Sequence, residues 1–373
     1  MHPRIATIAE GLAARGFDVT ECNIPLGLTT ADRVDMLAKP WKAGGLVVRL
    51  ARRWLGLAAK ARRLGRPDAV VVGYLGHFDV HLARLLYPRH RFSRHRVPIV
   101  LDHLISAAGT AKDRRIGGSG VKQRLLTLID AAALHAADIV VVDTDEHLEI
   151  VPERYRSKAV VVHVGAPVPW HRAAVDRAAS EPAEDFTGPL TVVFYGLYTP
   201  LQGTPVIGEA LGRIAGAPVE VTMIGRGQDE AETKRAAAAN QSVRWLDWVP
   251  AAELPALVAA HDVCLGIFGT GDKALRVVPN KVFQGAAAGC AVITSDTAPQ
   301  RRVLGTVPQE SGAVLVPPGD PAALAEALLR LAGDREELLK LRHAARELAA
   351  ERFTPEQVVG PLTDRLIRPH PAA

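Results

Sequence analysis

Residues 277–296 read VVPNKVFQGAAAGCAVITSD, and this order of residue types is that of a helix running into a buried strand. Pro279 presets a first helical turn. Gln284 lies four residues after Asn280 and three after Lys281, so these three side chains project from one face. Only small residues occupy 285–289, which lets such a helix lie close on a sheet, and AVITS (291–295) follows as the strand. The helix start offers free backbone N–H groups and the positive end of its dipole, both favourable to an anion. Just upstream, GTGDKALR (269–276) puts Lys273 and Arg276 beside the same turn. Three cations next to a glycine-rich loop suit a diphosphate.

Working outward, the helix-to-strand alternation continues almost from end to end. Strand-like runs fall at 191–196, 219–225, 243–248, 262–269, 290–296 and 312–318, and earlier at 17–24, 68–74, 97–103, 138–144 and 158–165. Helical patterns separate them, which is the signature of α/β layers around mostly parallel sheets. Residues 166–189 hold four prolines, mixed charge and little strand content, and read as a linker. The expected fold class is therefore α/β, two Rossmann-like domains facing across a cleft, with ligands at the carboxyl ends of the strands. The divisions are 1–166, a linker at 167–189, 190–350, and a tail or helix at 351–373. The first domain begins inside a helix (3–15) and goes straight to 17–24, without the central strand that normally opens such a unit. The expectation is that the natural protein starts upstream of Met1.

Composition narrows the function. Hydrophobic residues make up 48% of the chain, which excludes a disordered protein, and no apolar run approaches the roughly 20 residues of a membrane span. The start lacks the layout of a signal peptide. Cys22, Cys264 and Cys290 are odd in number and far apart, against a disulfide framework or thiolate zinc site and for a cytoplasmic protein. The net charge of +5 is a split: residues 1–166 carry 25 Lys plus Arg against 16 Asp plus Glu, and 167–373 carry 20 against 24. The basic half includes Trp41–Arg66, with eight cations and no acid. There Val47, Leu50, Trp54, Leu57, Ala61 and Leu64 recur at helical spacing opposite Arg49, Arg53, Lys60 and Arg63. The stripe reads as core, and the cations as a surface for peripheral attachment to an anionic membrane or for an anionic acceptor. A second run, Arg84–Arg96, adds five Arg and two His. Aromatic residues do not interleave with these charges, so nucleic acid is not the expected partner.

Several motifs in order carry a resemblance. VVFYGLYTPLQG (192–203), VTMIGRGQ (221–228), VRWLDWVPAAELPALVAAHDVCLGIF (243–268) and PNKVFQGAAAGCAVITSD (279–296) together resemble the donor-binding domain of GT-B glycosyltransferases, particularly the retaining family 4 (group 1). VVVGYLGHFDVHLARLL (70–86) and DAAALHAADIVVVDTDEH (130–147) look like its acceptor domain. The resemblance implies transfer of a sugar from a nucleotide diphosphate sugar to a sugar, lipid-linked or metabolite acceptor, with retention and without metal or other cofactor. It assigns donor binding to Gly196, Gln202, Gly203, Gly225, Gly227, Lys273, Arg276, Asn280, Lys281 and Gln284. His103 with Asp102 is the catalytic candidate, and His77 and Asp79 are acceptor-side candidates.

Two departures stand out. The family usually places an Arg and a Lys in the first donor-domain loop, where Leu197 or Tyr198 and Gln202 now fall. It also usually shows two Glu eight residues apart, where Arg276 and Gln284 stand. The alternative is thus a catalytically degenerate relative that binds a nucleotide or a partner. A nucleotide-sugar epimerase on the same fold is a third reading. Asp143 and Asp145 imitate an Asp-x-Asp metal motif, but their place between strand and helix reads as helix capping. GRGQDE (225–230) lacks the third glycine of a dinucleotide fingerprint.

Overall fold

A computed structural model describes residues 3–25, 43–89, 96–104, 106, 120–180 and 188–367. It contains two sheets. The smaller consists of β1 (Val70–Val72), β2 (Ile99–Asp102), β3 (Ile139–Val142) and β4 (Ala159–Val161) in sequential order, with β1, β2 and β3 parallel. The larger is built from β5 (Leu190–Tyr195), β6 (Val219–Ile224), β7 (Val243–Leu246), β8 (Val263–Leu265), β9 (Ala291–Ser295) and β10 (Ala313–Val316). Its spatial order is β7-β6-β5-β8-β9-β10 and every pairing is parallel. This is the doubly wound Rossmann order, in which the connections reverse direction between β5 and β8 and open a crevice there.

The burial of the strands explains why the sequence forms them. All residues of β8 and β9 are buried, as parallel strands covered on both faces must be. Along β5 the side chains alternate between two cores. Leu190, Val192 and Phe194 pack with Ile207, Leu211 and Leu328 on one face, and Val193 and Tyr195 with Val282, Phe283 and Leu348 on the other. The small residues at 285–289 do what their size allows: a Cβ on Gly285 would come within 2.6 Å of the Cys264 Cβ.

By contacts the chain divides into two compact units, one comprising 1–17, 142–156 and 160–364, the other 18–141, 157–159 and 365–373. In the first, the buried Arg4 of the Pro3–Ala14 helix donates to the carbonyls of Val162 (2.9 Å) and Val142 (3.4 Å).

Three expectations change. Residues 17–24 form no strand; they are irregular and mostly exposed, because a strand needs a neighbour to take its backbone groups and none of the described residues pairs there. The stretch 167–189 contains the Val168–Ser180 helix, whose Trp170, Ala173 and Ala174 are buried. Its prolines do not oppose this, because Pro167 and Pro169 fall at the helix start, where a missing N–H costs nothing; residues 181–187 lie outside the described ones. The Ala43–Leu64 helix forms, but of its stripe Leu50, Trp54, Leu57 and Ala61 are only half-buried and Leu64 is exposed, as are Val48 and Leu55. The three-residue edge strand β1 offers it little surface. Trp41, Lys42 and the side chain of Val47 lie outside the described residues, as do residues 90–95 of the second basic run. No described helix is long and apolar enough to cross a membrane.

Candidate functional site

The crevice between β5 and β8 is lined by loops that glycine holds together. Gly225 has φ 130° after β6, and a Cβ there would fall 1.9 Å from the Gly196 carbonyl oxygen. Tyr198 N–H donates to the Arg226 carbonyl (2.9 Å), and Gly227 pairs with Tyr198 as an isolated bridge. On the other side Gly203, left-handed at φ 65°, lies so close to Phe268 and Gly269 that a Cβ would meet their backbone at 2.4 Å. The Phe268 N–H donates to the Gln202 carbonyl (2.9 Å). The 196–203 loop is therefore tied to the ends of β6 and β8 through its backbone, and the buried Tyr198 ring anchors it in the core.

Into this place comes Lys281, from the first turn of the Asn280–Ala287 helix. Only 4% of it is exposed. Its Nζ donates to Gln202 Oε1, lies 4.3 Å from the centre of the Phe194 ring, and would be 3.1 Å from a Cβ at Gly196. Among the described residues it makes no ion pair, and burial pulls its pKa down to about 7. One helical turn on, the buried Gln284 accepts a 3.0 Å hydrogen bond from the Tyr195 hydroxyl through Oε1, and Tyr195 stacks on Trp170. Asn280 is half-buried at the helix start. Lys273 and Arg276 belong to the short turn before it; Lys273 is half-buried and the Arg276 side chain exposed, while the Arg276 carbonyl accepts from Thr144 Oγ1 at 2.8 Å. So Gly196, Gln202 and Lys281 are brought together, with Gln284 one turn on against Tyr195 and Gly203, Gly225 and Gly227 as the loop supports.

The remaining candidates lie in the other unit. Asp102 ends β2, buried, and the His103 N–H extends the ladder to the Val141 carbonyl (2.8 Å). His103 and His77 face each other edge to face, with ring centres 5.4 Å apart. His77 Nε2 is 3.0 Å from Asp130 Oδ1. Asp79 does not cap the Asp79–Leu86 helix; it is the first helical residue and accepts from Trp54 Nε1 at 2.9 Å. The Asp-x-Asp pair has structural partners. Thr144 caps the next helix, Asp143 pairs with His147, and Asp145 with Arg302. Cys22, Cys264 and Cys290 are all unbridged.

Residues 189–334, which hold the whole crevice, match the family described as glycosyl transferases group 1. That stretch is similar to the group 1 glycosyl transferases. A phosphatidyl-myo-inositol mannosyltransferase of Mycobacterium leprae is 33% identical over 160 residues, 42% of this chain, and the chain spans only 40% of that relative's length. The sucrose-phosphate synthase of Thermosynechococcus elongatus has the same fold, with a TM-score of 0.64 over 97% of this chain and 92% of that one at 18% identity. Anabaena HepE, solved with UDP and glucose, superimposes with a TM-score of 0.56 at 13% identity, over 83% and 81% of the two chains. The fold is GT-B, with two Rossmann-like units.

Phe194 and Tyr195 stand beside Lys281 and Gln284, with Trp170 stacked on Tyr195, and the sequence does not single these three out. Aromatic residues inside an apolar strand or on a helix face read as core, which they also are. The signal for Tyr195 was available: it is the last residue of the strand before the glycine loop, where a hydroxyl can reach the site.

Proposed function

We propose that this chain transfers a sugar from a nucleotide diphosphate sugar to an acceptor, with retention at the anomeric carbon and with protein cations, not a metal ion, neutralising the diphosphate. The observation that carries this is the buried Lys281, with no carboxylate beside it among the described residues, at the switch point of a stretch that matches the group 1 glycosyl transferases. The family pattern loses its loop lysine at Gln202, and Lys281 reaches the same loop from the helix, with Gln202 as its resting partner. A diphosphate entering the crevice displaces that carboxamide and meets the ammonium together with the free N–H groups of the helix start. As the sugar departs, negative charge grows on the phosphate, and a donor set already in place lowers the barrier. Lys273 and Arg276 supply further charge from the preceding turn, Asn280 stands at the helix start, and Gln284 offers its carboxamide to the ribose hydroxyls. His103 with Asp102 is assigned to the reaction on the acceptor side, and His77 with Asp79 to the acceptor.

The similarity to HepE, solved with UDP and glucose, supports a UDP-linked donor among the candidates. The mycobacterial relative supports a lipid-linked acceptor, as do the six cations and exposed leucines of the Ala43–Leu64 helix, which suit peripheral attachment at the cytoplasmic face of a membrane. The test is release of nucleoside diphosphate from a panel of donors, with acceptor lipids or sugars added. Turnover that requires acceptor supports the transferase. A second reading, a nucleotide-binding module without turnover, is favoured by Arg276 and Gln284 standing where the family carries Glu. Nucleotide binding without release from any donor would establish that reading instead.

A further inference from the structure

His77, His103 and Asp130 come from three separate places in the chain, yet one ligand atom of each lies within 4.8 Å of the other two. His77 belongs to the loop after β1, which also contains Leu75 at φ 63°, a conformation that is costly for a side chain with a Cβ. His103 follows β2, and Asp130 comes from the Gly120–Ala136 helix. His77 and Asp130 are buried at 7% exposure each, while His103 is half-buried. Ser106 Oγ donates to Asp130 Oδ2 at 2.7 Å, leaving Oδ1 turned to His77.

We infer that these three side chains hold a divalent transition-metal ion of the zinc or cobalt class in the acceptor-side unit. Two imidazoles and a carboxylate are a common three-ligand set for such ions, and a site with three protein ligands keeps a position open for water or a substrate oxygen. The 3.0 Å separation of His77 Nε2 and Asp130 Oδ1 is close to the edge of about 3.3 Å that two ligands of a tetrahedral zinc span. The Ser106 hydrogen bond is the kind of outer contact that fixes a ligating carboxylate. A simple ion pair needs no third group. The Asp143 and His147 pair shows that form: two side chains four residues apart, one before the Asp145–Ile150 helix and one within it.

The inference departs from the expectation of a metal-free chain and deepens the acceptor-side assignment, on which it rests. The open position, next to the half-buried His103, receives an acceptor hydroxyl or phosphate oxygen, so that His77 and His103 act through the ion. The diphosphate keeps its protein cations.

The metal is read without donor or acceptor, so its failure is separate from failure of the transferase reading. Full-length protein, purified without a histidine tag or metal resin and stripped by chelator, is titrated with Co²⁺ and followed by visible absorption, then with Zn²⁺ in competition. The expected result is about one ion per chain, with a Co²⁺ spectrum of nitrogen and oxygen ligation. His77→Ala, His103→Asn and Asp130→Asn are each expected to weaken binding by more than about tenfold. His147→Asn, outside the cluster, leaves binding unchanged. Folded wild-type protein that takes up no stoichiometric Co²⁺ or Zn²⁺ overturns the inference. So does equal binding by wild type and by a His103→Asn variant that keeps its circular dichroism spectrum.

Discussion

At Asp138, three guanidiniums close on one buried carboxylate; at Lys281, one ammonium is enclosed with no carboxylate beside it among the described residues. Arg84, Arg89 and Arg96 all reach Asp138, and Arg84 and Arg89 also donate to the last carbonyls of the Gly120–Ala136 helix. Burial alone would raise the Asp138 pKa, but hydrogen bonds from Arg84 and the Ile99 N–H, with the neighbouring charges, outweigh it and hold the carboxyl at about 2. That cluster ties a helix end to a strand and is electrically complete. Lys281 has only a carboxamide and an aromatic face for company, and its lowered pKa records what burial costs a lone cation. The contrast separates cations that build the fold from the cation that we propose receives a diphosphate.

The largest effect is expected at Asp138. Replacing it by Asn leaves three guanidiniums around a neutral group, and unfolding by urea should show a loss of about 3–5 kcal/mol. In the wild type this contribution is present above the unfolded carboxyl pKa and is lost as pH falls through about 2. Stability unchanged by Asp138→Asn would mean that the cluster is not the helix anchor described.

The opposite sign is expected at the other site. Lys281→Met removes a buried charge that has no opposite charge beside it among the described residues, so the ligand-free protein should gain about 1–3 kcal/mol at pH 7, while affinity for a nucleoside diphosphate falls about 10- to 100-fold. The folded pKa lies below the unfolded one, so between them the unfolded chain binds more protons. The wild type's penalty is therefore full below about pH 7 and relieved as pH rises above it. Thermal melts of both proteins across pH 6–9 check this, and a destabilised Lys281→Met would contradict it.

Binding should show the same group. Diphosphate favours the ammonium, so its affinity should decline by up to about tenfold per unit above pH 7, read by calorimetry with a pH-matched Lys281→Arg control that stays flat.

The smallest effect belongs to the surface. Changing Arg52, Arg53 and Arg63 to Glu should reduce sedimentation with anionic vesicles severalfold at low salt, because each cation near such a surface contributes about 1 kcal/mol. Equal binding of wild type to neutral and anionic vesicles would discard membrane attachment through this helix.

The two regions also differ in how readable they were. In the unit that holds the larger sheet every strand of that sheet is legible, most plainly β8 and β9, because strands buried on both faces are short apolar runs between glycines and helices. In the other unit FDVTECNI (17–24) had strand composition and no partner, and composition does not report partners. Lys281 was found from its helix position, but its tie to Gln202 crosses 79 positions, and the sequence alone shows Gln202 only as a missing cation. Asp130 is not legible in the sequence for a related reason: one carboxylate on a largely apolar helix becomes informative only when His77 and His103, 53 and 27 residues away, are seen beside it.

The most direct test of the central claim is a crystal structure with UDP or another bound nucleoside diphosphate. Lys281 Nζ is expected within about 3 Å of a phosphate oxygen, with Gln202 released from it and the phosphates at the start of the Asn280–Ala287 helix. A diphosphate bound elsewhere, with Lys281 still resting on Gln202, would contradict it.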